Sequence, residues 1–192
     1  MNIGEWISKR ANLYPERLFL REEDGREFDN RQFNRRVNRM AHALGKMGLA
    51  RGDRVAALMT NSSEFLEIFF ACAKTGVIMV PLNFRLAPPE LIYIIGNSSP
   101  KVLVYSPDFA DKVKAVKAAG LSLPFYFRHG GGNLPEDPAL SDFIAPFSED
   151  EPIPATEVTL NDPLFIIYTS GSSMNDSEIF LLSASLRWKS SS

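Results

Sequence analysis

The sequence predicts an α/β fold: a mostly parallel sheet with helices on both faces and a small hairpin near the N-terminus. Three observations predict it. Short apolar runs at Val55 to Met59, Val77 to Val80 and Lys101 to Tyr105 have the length and the Val, Ile and Leu content of strands buried on both faces. Helical segments separate these runs, as parallel strands require of their connections. Repetition of the strand, helix, strand unit then implies right-handed crossovers over one sheet.

Taken in order, Ile3 to Leu13 places apolar residues at 3, 6, 7 and 13 and stops before Pro15, which predicts a short amphipathic helix. Arg17 to Arg21 reads as a strand, Asp24-Gly25 as a turn and Arg26 to Phe28 as the return strand of a hairpin. Asp29 with Gln32 three residues on is a capping-box start for a long helix, whose apolar face carries Phe33, Val37, Met40, Ala41, Leu44 and Met47. Its other face carries Arg31, Arg35, Arg39, His42 and Lys46, and a basic stripe of this kind is expected to be a solvated helix face. Gly48 and Gly52 end the helix.

After the run at Val55, the side-chain oxygens of Thr60-Asn61-Ser62-Ser63 suit a helix N-cap. Ser63 to Lys74 follows as a helix that is apolar almost all round, with Gly76 as its C-terminal stop, and it should be deeply buried. Pro88 and Pro89 can start a helix but not continue one, and Glu90 to Ile95 carries it to Gly96-Asn97. Pro107 to Ala119 is the next helix, and Leu123 to Phe127 a strand that Pro124 confines to an edge. Gly130-Gly131-Gly132-Asn133 resembles a phosphate loop only in glycine content, because no helix start follows it; a surface loop is expected. Leu140 to Phe147 predicts one or two helical turns, and Ser148 to Thr159 an acidic, proline-containing connector.

At 192 residues, 45% apolar and 23% charged, the chain can bury a sizeable core as one domain or a large piece of one. Residues 1 to 54 carry 12 Lys and Arg against 8 Asp and Glu and the remainder 9 against 15, a separation too mild to predict nucleic-acid binding. The single cysteine, Cys72, lies in an apolar segment and is expected to be a buried thiol, which fits a reducing cytoplasm. The N-terminus lacks the apolar core of a signal peptide, and Glu67, Lys74 and Gly76 break the most apolar stretch, so no transmembrane segment is expected. His42 and His129 sit in unrelated contexts, without a triad or a metal-ligand pattern. No catalytic and no metal-binding residue is therefore assigned.

The strongest site signal is the passage from the apolar strand Leu164 to Tyr168 into Thr169, Ser170, Gly171, Ser172 and Ser173. A glycine among small hydroxyl residues lets backbone N–H groups converge on one point, and the hydroxyls add donors; such a concavity suits an anion. It contains neither a Walker glycine-lysine pattern nor a dinucleotide fingerprint.

Two other stretches join this one: Gly52-Asp53-Arg54-Val55-Ala56-Ala57-Leu58-Met59-Thr60-Asn61-Ser62-Ser63-Glu64-Phe65, and Lys74-Thr75-Gly76-Val77-Ile78-Met79-Val80-Pro81-Leu82-Asn83-Phe84-Arg85-Leu86. Together, in this order and spacing, they resemble the adenylate-forming acyl-CoA synthetases, from about Trp6 to Ser173. The resemblance implies the N-terminal part of the large domain of such an enzyme over residues 1–173, with 174–192 a non-family, Ser-rich tail. It implies ATP-dependent activation of a carboxylic acid, a fatty acid being the expected substrate, to an acyl-adenylate and transfer to coenzyme A. ATP, Mg2+ and coenzyme A are the implied cofactors, and Thr169, Ser170, Gly171, Ser172 and Ser173 would bind the nucleotide phosphates. After the hydroxyl residues the family continues with glycine, proline and lysine, whereas this chain has Met174, Asn175, Asp176 and Ser177. About two-thirds of the family's length has no counterpart, so a truncated chain, inactive alone, is expected. The alternatives are a non-catalytic fragment or interaction module, and an adenylating enzyme for amino or aryl acids. The tail is expected to be loosely held rather than to continue the fold, and an uncovered sheet to favour self-association.

Overall fold

The structure is a computed structural model and describes residues 2–130, 137–168 and 179–183. Helix α1 (Ile3–Leu13) starts at Asn2, whose Oδ1 accepts from Glu5 N at 2.9 Å. Strands β1 (Leu18–Arg21) and β2 (Glu27–Asp29) form the expected antiparallel hairpin. Helix α2 (Asn30–Lys46) begins with the expected capping box: the Asp29 carboxylate accepts from Gln32 N at 2.7 Å, and Gln32 Oε1 accepts from Asp29 N at 3.1 Å.

The alternating part follows as β3 (Arg54–Leu58), α3 (Ser63–Thr75), β4 (Ile78–Pro81), α4 (Pro88–Ser98), β5 (Val102–Tyr105), α5 (Ala110–Ala118) and β6 (Phe125–Arg128). A short α6 (Leu140–Ile144), then β7 (Pro163–Tyr168) and β8 (Ile179–Ser183), complete the described elements. The helix expected from Pro107 opens instead with a turn of 3₁₀ helix, Pro107–Phe109, before α5. Helix α3 ends where Gly76 takes a left-handed conformation at φ 74°, which a side chain would strain.

The main sheet has the order β6-β5-β3-β4-β7-β8, parallel except for β8, which runs antiparallel to β7. The edge position expected for β6 is observed. One expectation is corrected: the tail was expected not to continue the fold, yet Ile179–Ser183 adds a strand to the sheet. Its backbone satisfies N–H and C=O groups that β7 would otherwise leave unpaired, a gain the serine content of the tail did not reveal.

Side chains of successive residues leave a strand on opposite faces, and the core divides accordingly. Val55, Ala57, Met79, Val102 and Val104 point into one layer with Ile7 of α1, Phe33, Val37, Met40 and Leu44 of α2, and Ile68 and Cys72 of α3. Ala56, Leu58, Val80, Leu103 and Tyr105 point into the other with Leu91 and Ile95 of α4 and Val113 and Val116 of α5. Helices thus cover both faces. Among the described residues no helix is long and apolar enough to cross a membrane.

Candidate functional site

The five residues singled out as a phosphate loop, Thr169, Ser170, Gly171, Ser172 and Ser173, lie outside the described residues. What the structure does describe is β7, the strand that precedes them in the sequence. In β7, Leu164 is buried in the core and Phe165 stacks on Phe69 of α3, with ring centroids 5.2 Å apart. Tyr168 pairs with Ile179 across the β7–β8 ladder, so the two ends of the intervening chain are held side by side. Just before β7, Asp162 accepts from Thr159 N at 2.7 Å and forms an ion pair with Arg51. Burial works to raise the Asp162 pKa, but the Thr159 and Arg51 hydrogen bonds outweigh it and hold the carboxyl below its ordinary value.

From α6 to β7 the chain crosses the α1–α2–α3 layer as a strap over residues 145–162, and the helices grip it with buried polar groups. Lys74 Nζ donates to Asn34 Oδ1 at 2.8 Å, Asn38 Oδ1 at 2.6 Å and Glu151 Oε2 at 2.6 Å. All three ammonium protons are thereby used. Glu151 also accepts from Asn34 Nδ2 at 2.6 Å and Ser8 Oγ at 2.9 Å, while Asn38 Nδ2 donates to Glu149 O at 2.7 Å. Burial pulls the Lys74 pKa down, against the Glu151 hydrogen bond that supports the charged form. For Glu151 burial raises the pKa, and the Asn34 and Lys74 hydrogen bonds bring it below the ordinary value.

The basic stripe of α2 differs from expectation in the same region. Arg31, Arg35 and Lys46 are exposed, but Arg35 and Arg39 pair with Glu149, and His42 Nε2 lies 3.0 Å from the Asp150 carbonyl. An acidic connector more than a hundred residues away in sequence was the missing partner.

A second polar cluster lines a cavity of about 490 Å³ between the end of β6, the start of α3 and the hairpin. Arg36 Nε donates to Glu67 Oε1 at 2.5 Å, and His129 Nε2 stands 3.7 Å from Glu64 Oε2. Burial pushes the Glu67 carboxyl up to about 7, against the Arg36 charge and hydrogen bond. The Cys72 thiol is fully buried and its pKa is raised by burial alone, so it is an inert core group. Among the described residues no group of His, Cys, Asp and Glu could hold a metal ion.

Reading the sequence missed Lys74, Asn34, Asn38, Glu151 and Asp162. A signal existed for three of them. Asn34 and Asn38 stand four apart on the apolar side of α2, and Lys74 interrupts an otherwise apolar helix; polar residues at buried positions require partners.

The sequence model of the AMP-binding enzyme family matches residues 7–173. A feruloyl-CoA synthase from Amycolatopsis sp is 34% identical over 186 residues, covering 97% of this chain and 34% of that protein. The long-chain-fatty-acid–CoA ligase FadD13 of Mycobacterium tuberculosis is 35% identical over 171 residues, covering 88% of this chain and 33% of that protein. Among solved structures, a Mycobacterium tuberculosis fatty acyl CoA synthetase superposes with a TM-score of 0.81 at 31% identity, over 95% of this chain and 34% of that one. The chain therefore spans about a third of the length of the relatives it matches. With a family match over most of its length and the parallel α/β sheet of a solved relative, this chain belongs to the AMP-binding enzymes, in the branch of the adenylate-forming acyl-CoA synthetases.

Proposed function

We propose that this chain supplies the nucleotide-phosphate grip of an ATP-dependent acid–CoA ligase. The observation that supports the reading is the family match over residues 7–173, which ends on Thr169, Ser170, Gly171, Ser172 and Ser173, the residues that follow strand β7 in the sequence. Four hydroxyl groups and a glycine form a donor set suited to phosphoryl oxygens, where charge moves toward pyrophosphate as a carboxylate attacks the α-phosphorus. Mg2+ accompanies ATP as its phosphate-bound counterion and coenzyme A takes the activated acyl group; no described residue is assigned to either. The acid is a fatty or an aryl acid, since relatives named for both stand at nearly equal identity. A cytoplasmic setting fits the lone buried thiol.

Met174, Asn175, Asp176 and Ser177 stand where the family pattern continues with glycine, proline and lysine, bringing an acidic residue where positive charge is expected, so the reading is that the 192-residue chain binds the triphosphate without turning it over. Phosphorus NMR of MgATP titrated with the chain tests this. The β- and γ-phosphate resonances should shift and broaden, and Ser170→Ala with Ser172→Ala should weaken binding roughly tenfold. Pyrophosphate exchange across a panel of fatty and aryl acids should stay at the protein-free blank. Phosphate resonances unmoved by the chain would refute the grip, and exchange above the blank would refute the loss of turnover.

A further inference from the structure

The chain leaves the carboxyl end of β3 for α3 on one face of the sheet, and leaves the neighbouring β5 for α5 on the other. Crevices at such a switch in direction are where open α/β sheets hold ligands. The cavity of about 490 Å³ lies beside this one, and its volume is that of a small-molecule site. Its walls include Glu64 and Glu67 of α3 and, at the carboxyl end of β6, Arg128 and His129. His129 N donates to Tyr105 O at 2.7 Å, which ties this wall to the end of β5.

The charges on the walls are unequally neutralised. From the hairpin, Arg26 pairs with Glu22 and Asp24 and stands 3.8 Å from Glu64; from α2, Arg36 pairs with Glu64 and Glu67. Arg128 differs from both. Its Nε donates to Asp137 O at 3.2 Å and its Nη1 to Gly130 O at 3.1 Å, and among the described residues no carboxylate pairs with it. Two carbonyl oxygens fix the guanidinium plane without cancelling its charge, and Nη2 remains outside these bonds as a donor. His129 follows it in the wall and adds a second cation when protonated. Asp142 of α6, exposed and bonded by Ser141 Oγ at 3.4 Å, is the remaining acid of the walls. Burial works to raise the Glu64 pKa, but its backbone N–H, His129 and Ser63 hold it below the ordinary value. Glu67, pushed up to about 7 by burial, is therefore the acid that gives up its charge when an anion enters.

We propose that this cavity is a second binding site, which takes a small oxyanion, a carboxylate or a phosphate-type group, on Arg128 and His129. In the sheet β5, β3 and β4 lie between β6 and β7, a separation of about 19 Å at ordinary strand spacing. The site therefore stands without the nucleotide-phosphate grip. An anion at the β6 wall favours neutral Glu67 and protonated His129, so binding takes up protons and tightens as the pH falls.

Sulfate and acetate are the probes, because neither changes its charge between pH 6 and pH 8. Each is titrated into the 192-residue chain at constant ionic strength and followed by 15N NMR. The amides of 64–67 and 128–130 should shift along a saturable curve, and the affinity should fall about fivefold from pH 6 to pH 8. Arg128→Gln should weaken binding about tenfold, the size of a charge-assisted hydrogen bond. Glu67→Gln should reduce the pH dependence to the part that His129 supplies. Arg31→Gln, which removes an exposed arginine elsewhere on α2, should bind as the parent does. Should Arg128→Gln fail to fold, His129→Gln carries the test, with the same weakening expected at pH 6. Sulfate bound more tightly than acetate assigns a phosphate-type head and the reverse a carboxylate; either keeps the site. The absence of a saturable shift at 64–67 and 128–130 with both probes overturns it. So does an equal loss in Arg128→Gln and Arg31→Gln, which would report a general attraction of anions to basic surface. Equal affinity at pH 6 and pH 8 overturns the linked uptake of protons.

Discussion

Lys74 Nζ lies 2.6 Å from Glu151 Oε2, and the two residues are 77 positions apart in the chain. The lysine side chain is 5% exposed and the glutamate 51%, so the pair straddles the surface of the α1–α2–α3 layer and pins the strap to it. Removing one partner of a fully buried pair costs about 3–5 kcal/mol, and solvent at Glu151 reduces that. Lys74→Met, which also strands Asn34 Oδ1 and Asn38 Oδ1, should cost roughly 2–3 kcal/mol in urea unfolding. Glu151→Gln should cost less, and the double variant less than the sum. Full additivity would show that the pair does not couple the strap to the helices.

Glu67 gives a pH dependence of defined sign. Its folded pKa of about 7 stands above the ordinary 4.5, so the folded chain binds this proton more tightly than the unfolded chain does. The stability it contributes is full below the unfolded value and is lost as the pH rises through the window from 4.5 to about 7. Glu67→Gln removes the buried charge and keeps an acceptor for Arg36. It should raise the melting temperature at pH 8 by about 3 °C or more and leave it near that of the parent at pH 5. An equal shift at both pH values would place the effect in packing rather than in ionisation.

Gly4 marks a close approach of α1 to α3. A Cβ built there would lie 2.6 Å from Lys74 N and 2.8 Å from the Ala73 carbonyl carbon, both backbone atoms that cannot rotate away. Gly4→Ala should therefore displace α1 and cost about 2 kcal/mol, lowering the melting temperature by roughly 5 °C. Helix propensity alone would make alanine stabilising at this position, so a raised melting temperature would show that the two helices separate freely.

Deleting residues 174–192 strips β8 from β7 and exposes the polar backbone edge that β8 now satisfies. The melting temperature should fall by several degrees, with faster amide exchange over 164–168. A change of less than about 1 °C would show that the antiparallel ribbon adds nothing to the stability of the sheet.

Local chemistry determined much of this chain. The apolar runs at Val55, Val77 and Lys101 fixed the parallel strands because strands buried on both faces need continuous apolar sequence. The Asp29 and Gln32 pair fixed the start of α2, and Gly76 the end of α3, because caps are settled within one helical turn. The hydroxyl-rich passage after Tyr168, with its two companion stretches, identified the family.

Tertiary structure decided the rest. Which partners Lys74, Asn34 and Asn38 would find depended on Glu149 and Glu151 arriving from the strap, over separations of 77 to 117 residues. The basic face of α2 was expected to meet water because nothing within one helical turn could show an acidic segment lying across it. The added strand β8 was hidden for a related reason. A strand edge is satisfied by whichever backbone comes alongside, so side-chain composition in the tail says little about whether pairing occurs. Hydrogen bonds and ion pairs between distant segments form only where the packed apolar layers bring those segments together, and that juxtaposition exists only in the folded chain.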